Sequence, residues 1–281
     1  MKELTGLLSA LLIIGSSAEG QFYYKDIVVT KQSMENWRNY KENSVRSVKL
    51  TSYESNGKPT EGFSAEQSVA KDYSQIVTST RSSESAPTNL TSFYDANGQL
   101  IKTVDTSDSY QSTTEFGYDS QGKVRIITNS SLETDNQVKE TEQHIWKYDG
   151  TDKPVSMLKI KNGTDSTFIQ FLTDEKGNIA EERPTHNKQA LPVIYYYYNN
   201  ENRLTDIVKF NAKAHRLLPD YIFEYDNAGH LSSMLYVQEG SNDYQKWNYL
   251  YNEKGLKRND TCYNKKKELL GKIEYEYSFA K

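Results

Sequence analysis

Four histidines, His144, His186, His215 and His230, are the first residues to test for chemistry, because imidazole is the commonest metal ligand and general base near neutral pH. They stand 42, 29 and 15 residues apart, and none belongs to the His-Glu-x-x-His spacing that puts two ligands on one helix face. No zinc site is expected, and surface or turn positions account for them. A nucleophile elbow needs Gly-x-Ser-x-Gly, and the nearest stretch, Gly62-Phe63-Ser64-Ala65-Glu66, lacks the closing glycine. The glycines are dispersed singly, so no loop is built to cradle a phosphate. Cys262 is the single cysteine, which excludes an intrachain disulfide and reads as a small buried apolar side chain.

Carboxylates are abundant, so acid–base hydrolysis of a glycan has to be weighed. Most of these acids already have a local duty. Asp95, Asp119, Asp149, Asp174 and Asp226 open turns, and Glu274 and Glu276 alternate with apolar residues on a strand. Asp105-Thr106-Ser107-Asp108 brings two carboxylates close, but the ordered oxygen ligands and terminal Glu of a calcium loop are missing. No cofactor, no metal and no enzymatic activity are expected. The remaining signal is aromatic: 22 Tyr, 9 Phe and 3 Trp. Trp146, Tyr196, Tyr244, Trp247 and Tyr249 are the candidate ligand-contacting residues, because an aromatic face suits a pyranose ring. Cross-strand packing is the competing use for the same side chains.

The elements that would position these residues announce themselves by repetition. Tyr94-Asp95-Ala96-Asn97-Gly98-Gln99-Leu100 recurs as Tyr118-Asp119-Ser120-Gln121-Gly122-Lys123-Val124 and Tyr225-Asp226-Asn227-Ala228-Gly229-His230-Leu231. Looser copies begin at Tyr148, Thr173, Tyr198 and Tyr251, giving spacings of 24, 30, 25, 25, 27 and 26 residues, with an outlier at Tyr53-Glu54-Ser55-Asn56-Gly57. Asp or Asn at the entry accepts backbone N–H bonds, and Gly supplies the positive φ that closes the loop. The structural turn residues are therefore Asp95, Gly98, Asp119, Gly122, Asp174, Gly177, Asp226, Gly229 and Gly255, with Asn202 in the Gly slot of its copy. A spacing near 25 holds two strands and a second turn. Ile273, Tyr275, Tyr277 and Phe279 lie on one face of a final strand, opposite Lys272, Glu274, Glu276 and Ser278. Val193–Tyr198 and Tyr221–Tyr225 are apolar or aromatic at nearly every position, which predicts strands covered on both faces.

The fold class expected is all-β: tandem antiparallel β-hairpins forming a large twisted or curled sheet, with a small N-terminal cap. Residues 1–20 have the layout of a secretory signal peptide, with Lys2, an apolar stretch from Leu7 to Ile14 and small residues before Glu19, and a cleavage site near Ala18 to Gly20. Residues 21–88 form the cap region, with Ile27-Val28-Val29 as a strand and Ser33 capping a short helix that carries Met34, Trp37 and Tyr40. Residues 89–281 form the hairpin array, and Ser79 to Thr88 reads as a linker. The formal net charge of −4, without a basic run longer than Lys265-Lys266-Lys267, argues against nucleic acid.

The recurring Tyr-Asp-x-x-Gly-x-Leu pattern resembles the YD repeats of the RHS family over roughly residues 90 to 256. That resemblance implies a spiralling antiparallel sheet, a secreted or surface location, and a link to carbohydrate binding. The chain has far fewer repeats than the large members and no recognisable toxin or self-cleavage segment. The expected function is a non-catalytic exported binding or structural-interaction module, periplasmic or extracellular, with no membrane span in the mature chain. Its expected partner is a polysaccharide or a cell-surface protein of the envelope. The alternatives are an outer-membrane β-barrel and a secreted glycan-active hydrolase.

Overall fold

The computed structural model describes residues 22–83, 86–107, 110–133, 139–237 and 243–280. The expected signal peptide at 1–20 lies outside them, as do residues 239–242 of one second turn and Asp108. One helix, α1 (Lys25–Glu42), precedes a run of strands. These begin with β1 (Val45–Glu54), β2 (Ser64–Val69), β3 (Gln75–Arg81), β4 (Thr88–Tyr94), β5 (Leu100–Thr106) and β6 (Tyr110–Tyr118). Next come β7 (Val124–Glu133), β8 (Lys139–Tyr148), β9 (Pro154–Lys161), β10 (Asp165–Thr173), β11 (Ile179–His186) and the two-residue β12 (Gln189–Ala190). The last are β13 (Ile194–Tyr198), β14 (Leu204–Asn211), β15 (Arg216–Tyr225), β16 (Leu231–Val237), β17 (Tyr244–Tyr251), β18 (Lys257–Asn264) and β19 (Leu269–Phe279). They belong to one 19-stranded sheet, in which β1 pairs with both β2 and β19. The fold is all-β and built of antiparallel hairpins, as the repeat predicts.

Each hairpin turns by the same local chemistry. In the copy at Asp95, its Oδ1 accepts the N–H groups of Asn97 at 2.9 Å and Gln99 at 2.8 Å. The Asp95 carbonyl accepts the Gly98 N–H, and the Asp95 N–H donates to the Gln99 carbonyl. The same double capture recurs at Asp119, Asp149, Asn199 and Asn252. One extra residue is absorbed beside the turn, where the register shifts between Phe93 and Tyr94 and at the matching place in later copies. This is a tight turn joined to a bulge, which also increases strand twist. In the copy at Asp149 the positive φ falls on Asp152, not on Gly150. The outlier at Tyr53 makes the same turn, with Gly57 donating to Glu54 and Glu54 to Lys58. A further copy without glycine, Asn264 to Glu268, places Lys267 at φ +63°.

Successive turns are tied together by the motif tyrosines. Tyr118, Tyr148, Tyr225 and Tyr251 each donate their hydroxyl to the carbonyl of Leu100, Val124, Leu204 and Leu231, at 2.7 to 3.0 Å. Each acceptor is the first strand residue after the preceding turn of the series, so the tyrosine spans one repeat. Its ring serves the sheet and its hydroxyl satisfies a backbone carbonyl.

The chain divides into two compact units. One holds Leu50–Glu61 and Ile194–Glu276, with Phe22; the other holds Tyr23–Lys49, Gly62–Val193 and Tyr277–Lys281. In the first, Ile207, Met234, Trp247, Tyr249 and Ile273 are buried on one face of the sheet. In the second, Trp146, Met157, Ile169 and Phe171 are buried beside α1, and the Trp146 and Phe171 rings stack with centroids 5.0 Å apart.

Three sequence expectations are corrected. Ile27-Val28-Val29 is helical, not a strand, and Ser33 lies inside α1, where its hydroxyl meets the Tyr94 hydroxyl at 2.8 Å. The β-branched residues there favour a strand locally, and tertiary contacts override that preference. Ser79 to Thr88 is not a linker, since Ser79 pairs with Asn89 and Thr80 with Thr88 across the β3–β4 hairpin. Val193–Tyr198 is covered on one face only: Tyr196 is 3% exposed, whereas Tyr197 is 49% exposed.

Candidate functional site

The densest chemistry gathers at the head of α1, within the second unit. A helix leaves its first N–H groups without intrahelical partners. Tyr24, at the N-cap position, makes no side-chain capping bond to the helix. The carboxylate of Glu182, on β11, takes that role: it accepts the Tyr23 N–H at 3.0 and 2.9 Å and the Tyr24 N–H at 3.0 Å. Glu182 is fully buried, yet its charge faces the positive end of the helix dipole.

In the first turn of the helix, Asp26 reaches β8. Its Oδ2 accepts a bond from His144 Nδ1 at 2.6 Å and from Trp146 Nε1 at 3.2 Å. The other ring nitrogen of His144 meets Glu142 Oε1 at 3.0 Å, and Lys159 binds the remaining Glu142 oxygen at 2.8 Å. Burial opposes a charge on His144, but the Asp26 and Glu142 carboxylates outweigh it and push its pKa up to about 9. Burial likewise opposes charge on Glu142, but the His144 and Lys159 bonds bring it down to about 2. Burial together with Glu182 and Glu142 raises Tyr23 to about 12, while burial pushes Lys25 down. His144 is therefore an imidazolium held between two carboxylates, donating from both nitrogens at neutral pH.

That arrangement superficially resembles an acid–base set. Chemically it does other work. Both His144 nitrogens are committed to carboxylates, and Asp26 and His144 are buried. The cluster anchors the helix head on the sheet. Among the described residues no group of three His, Cys, Asp or Glu side chains could hold a metal ion.

Beside this anchor runs a cleft of about 340 Å³, between α1 and three consecutive turns. Ile27 and Met34 of α1 form one wall, and Val124, Pro154 and Ile179 lie opposite. Lys31, Lys123 and Asp152 stand at its edge, where Lys123 pairs with Asp152. Glycine permits the close approach of neighbouring parts: a Cβ on Gly98 would fall 2.3 Å from the Trp37 ring, at the far end of the same helix face.

The aromatic candidates from sequence are not brought together on a surface. Trp146, Tyr196, Trp247 and Tyr249 are between 1 and 3% exposed, so their rings are spent in the core; Tyr244 is half-buried, its hydroxyl 3.4 Å from the Lys265 carbonyl. The turn residues Asp95, Asp119, Asp174, Asp226, Gly98, Gly122, Gly177, Gly229 and Gly255 occupy the turns assigned to them, with every one of those glycines at positive φ. Of the histidines, His144 is not on a surface or in a turn but buried at the helix head; His230 is in a turn, stacked on Tyr251 with centroids 4.6 Å apart. Cys262 is buried, and burial pushes its thiol up to about 12. The partners missed by sequence reasoning, Asp26 and Glu182, are 118 and 159 residues from His144 and Tyr23. The one local hint was a buried-type residue pattern on β8, with His144 and Trp146 alternating.

No family model matches the chain, and no curated protein matches it. Among solved structures, a porin-like protein from Bacteroides uniformis aligns over 84% of this chain and 97% of its own, at 8% identity and a TM-score of 0.42. A porin-like protein from Bacteroides vulgatus aligns over 68% and 94%, at 15% identity and 0.35. A chain of the TcdB2-TccC3-Cdc42 structure aligns over 81% of this chain but 19% of its own, at 9% identity and 0.23. At these scores none of the three says what this chain does.

Proposed function

We propose that this is an exported, water-facing, non-catalytic interaction module, a short YD-repeat protein whose sheet is a scaffold for its loops. The observation that carries the reading is the division of the sheet into two chemically different faces. The buried face holds Trp146, Met157, Ile169, Met234, Trp247 and Ile273. The other carries charges within its strands: Lys102 stands opposite Glu115, Arg183 binds Glu181, and Lys246 binds Glu224, beside the turn, at 3.0 Å. Apolar residues share that face: Phe168, Leu158, Ile145 and Ile126 stand side by side across four strands, and Leu250 is exposed on β17. Export rests on the leader-like residues 1–20. The absence of catalysis is supported by the committed hydrogen bonds of the helix-head cluster. Burial of four of the five candidate platform aromatics favours a cell-surface protein over a polysaccharide as partner.

A second reading, an outer-membrane β-barrel, is favoured by one observation. β1 pairs with both β2 and β19, which leaves neither terminal strand with an unpaired edge. A bilayer-facing sheet, however, needs an apolar band some 25 Å tall on its outward side. No helix among the described residues is long and apolar enough to cross a membrane, which leaves a strand-built span to experiment. Fractionation of producing cells followed by detergent phase partition separates the two. The water-facing reading expects recovery in the soluble fraction and the aqueous phase; recovery in outer membranes, extractable by detergent alone, would replace it with the barrel.

A further inference from the structure

We propose that the cleft between α1 and the turns is a binding site for a small amphiphilic anion, a monocarboxylate with an apolar body of about eight carbons. This deepens the interaction-module reading and rests on it, by naming a ligand class for one site. The cleft, about 340 Å³, falls in the range of small-molecule sites. Its walls are apolar: Ile27 and Met34 on the helix, with Val124, Pro154 and Ile179 opposite. Tyr118 and Tyr148, which also line it, donate their hydroxyls to backbone carbonyls, so they present ring edges and faces and no free donor.

The charges at the rim decide the sign of the ligand. Lys123 and Asp152 neutralise one another. Lys31 is exposed, and among the described residues no carboxylate pairs with it. The rim is left with one net positive charge, above a body-sized apolar slot. An anionic head at Lys31 with its chain between Ile27 and Ile179 satisfies both requirements. A neutral analogue keeps only the burial, roughly 25 cal/mol per Å² of apolar area; a cationic one meets Lys31 and is repelled. Along the helix the same strip is closed by the protein itself, where Trp37 covers Gly98. The cleft is thus the stretch of this helix–turn seam that the chain's own side chains leave open.

The test is isothermal titration of the full chain with octanoate, octanol and octylammonium, with the variants Lys31→Glu and Met34→Trp. The proposal expects saturable octanoate binding at one site, at least tenfold weaker octylammonium binding, and octanol between them. Lys31→Glu should weaken octanoate about fivefold and reverse the order of the two ions. Met34→Trp should fill the slot and abolish binding of all three at an unchanged melting temperature. If that variant melts early, Lys31→Glu, an exposed change, still carries the test. No saturable binding to the native chain, equal binding of both ions, or indifference to Lys31→Glu would each overturn the proposal. None of these outcomes alters whether the protein partitions into water, so failure of the site and failure of the broader reading are distinguishable.

Discussion

Among single residues, Glu182 and His144 have the most at stake, because each is a buried charge whose cost is met by specific partners. Replacing Glu182 by Ala leaves the Tyr23 and Tyr24 N–H groups unanswered at the helix head. The expected loss is about 2 kcal/mol, read from the urea midpoint at unchanged slope. Asp26→Ala should cost more, about 3 to 5 kcal/mol, since it strands an imidazolium in the interior. The histidine also makes stability depend on pH. Its folded pKa, near 9, lies above its ordinary value of about 6.5. The stabilisation is therefore complete below about pH 6.5 and is lost as pH rises through about 9. Glu142 works in the other direction: its contribution is present above its usual carboxylate range and is lost as pH falls toward about 2. A chain carrying His144→Gln should lose the alkaline slope and keep only the part of the acid slope that Lys159 supports. An alkaline slope that survives in that variant would assign the effect to another group.

Turns and helix belong to the scale of elements, where one prediction separates two reasons for glycine. Gly57 and Gly98 both sit at positive φ, +77° and +81°. A Cβ on Gly57 meets nothing within 4 Å, whereas one on Gly98 meets the Trp37 ring at 2.3 Å. Gly57→Ala should cost about 1 kcal/mol, the strain of the backbone alone. Gly98→Ala adds overpacking against a buried ring and should cost about 2 to 3 kcal/mol more. Equal costs from thermal unfolding would show that Trp37 yields freely. The repeat was legible because everything that makes it lies within five residues: an acceptor side chain, two N–H groups and a positive φ. The copies at Asn264 and Asp149 were harder to read because Lys267 and Asp152 adopt that backbone without glycine. The helix was misread because Ile27, Val28 and Val29 prefer extended backbone locally, while the partners that hold them helical come from β8 and β11.

For the whole molecule, the deciding quantity is what the second face of the sheet meets. Ion pairs on that face, such as Lys102 with Glu115 and Lys246 with Glu224, are tolerated in water, where each contributes little. Facing hydrocarbon at mid-depth, a Lys or Arg side chain would cost about 2 to 4 kcal/mol and an acidic one less. Several together would oppose insertion. The water-facing proposal expects aqueous partition without detergent.

The sequence by itself determined the all-β class, the turn positions and the final strand, because side-chain alternation and turn chemistry are properties of neighbours along the chain. Tertiary structure alone decided which aromatics remain available and which charges meet. Trp146, Tyr196, Trp247 and Tyr249 carry the same residue types whether they pack or bind, and only the covering of one face commits them to the core. His144 finds Asp26 across 118 residues. No spacing rule reaches that far, since such a contact is set by how the helix lies on the sheet.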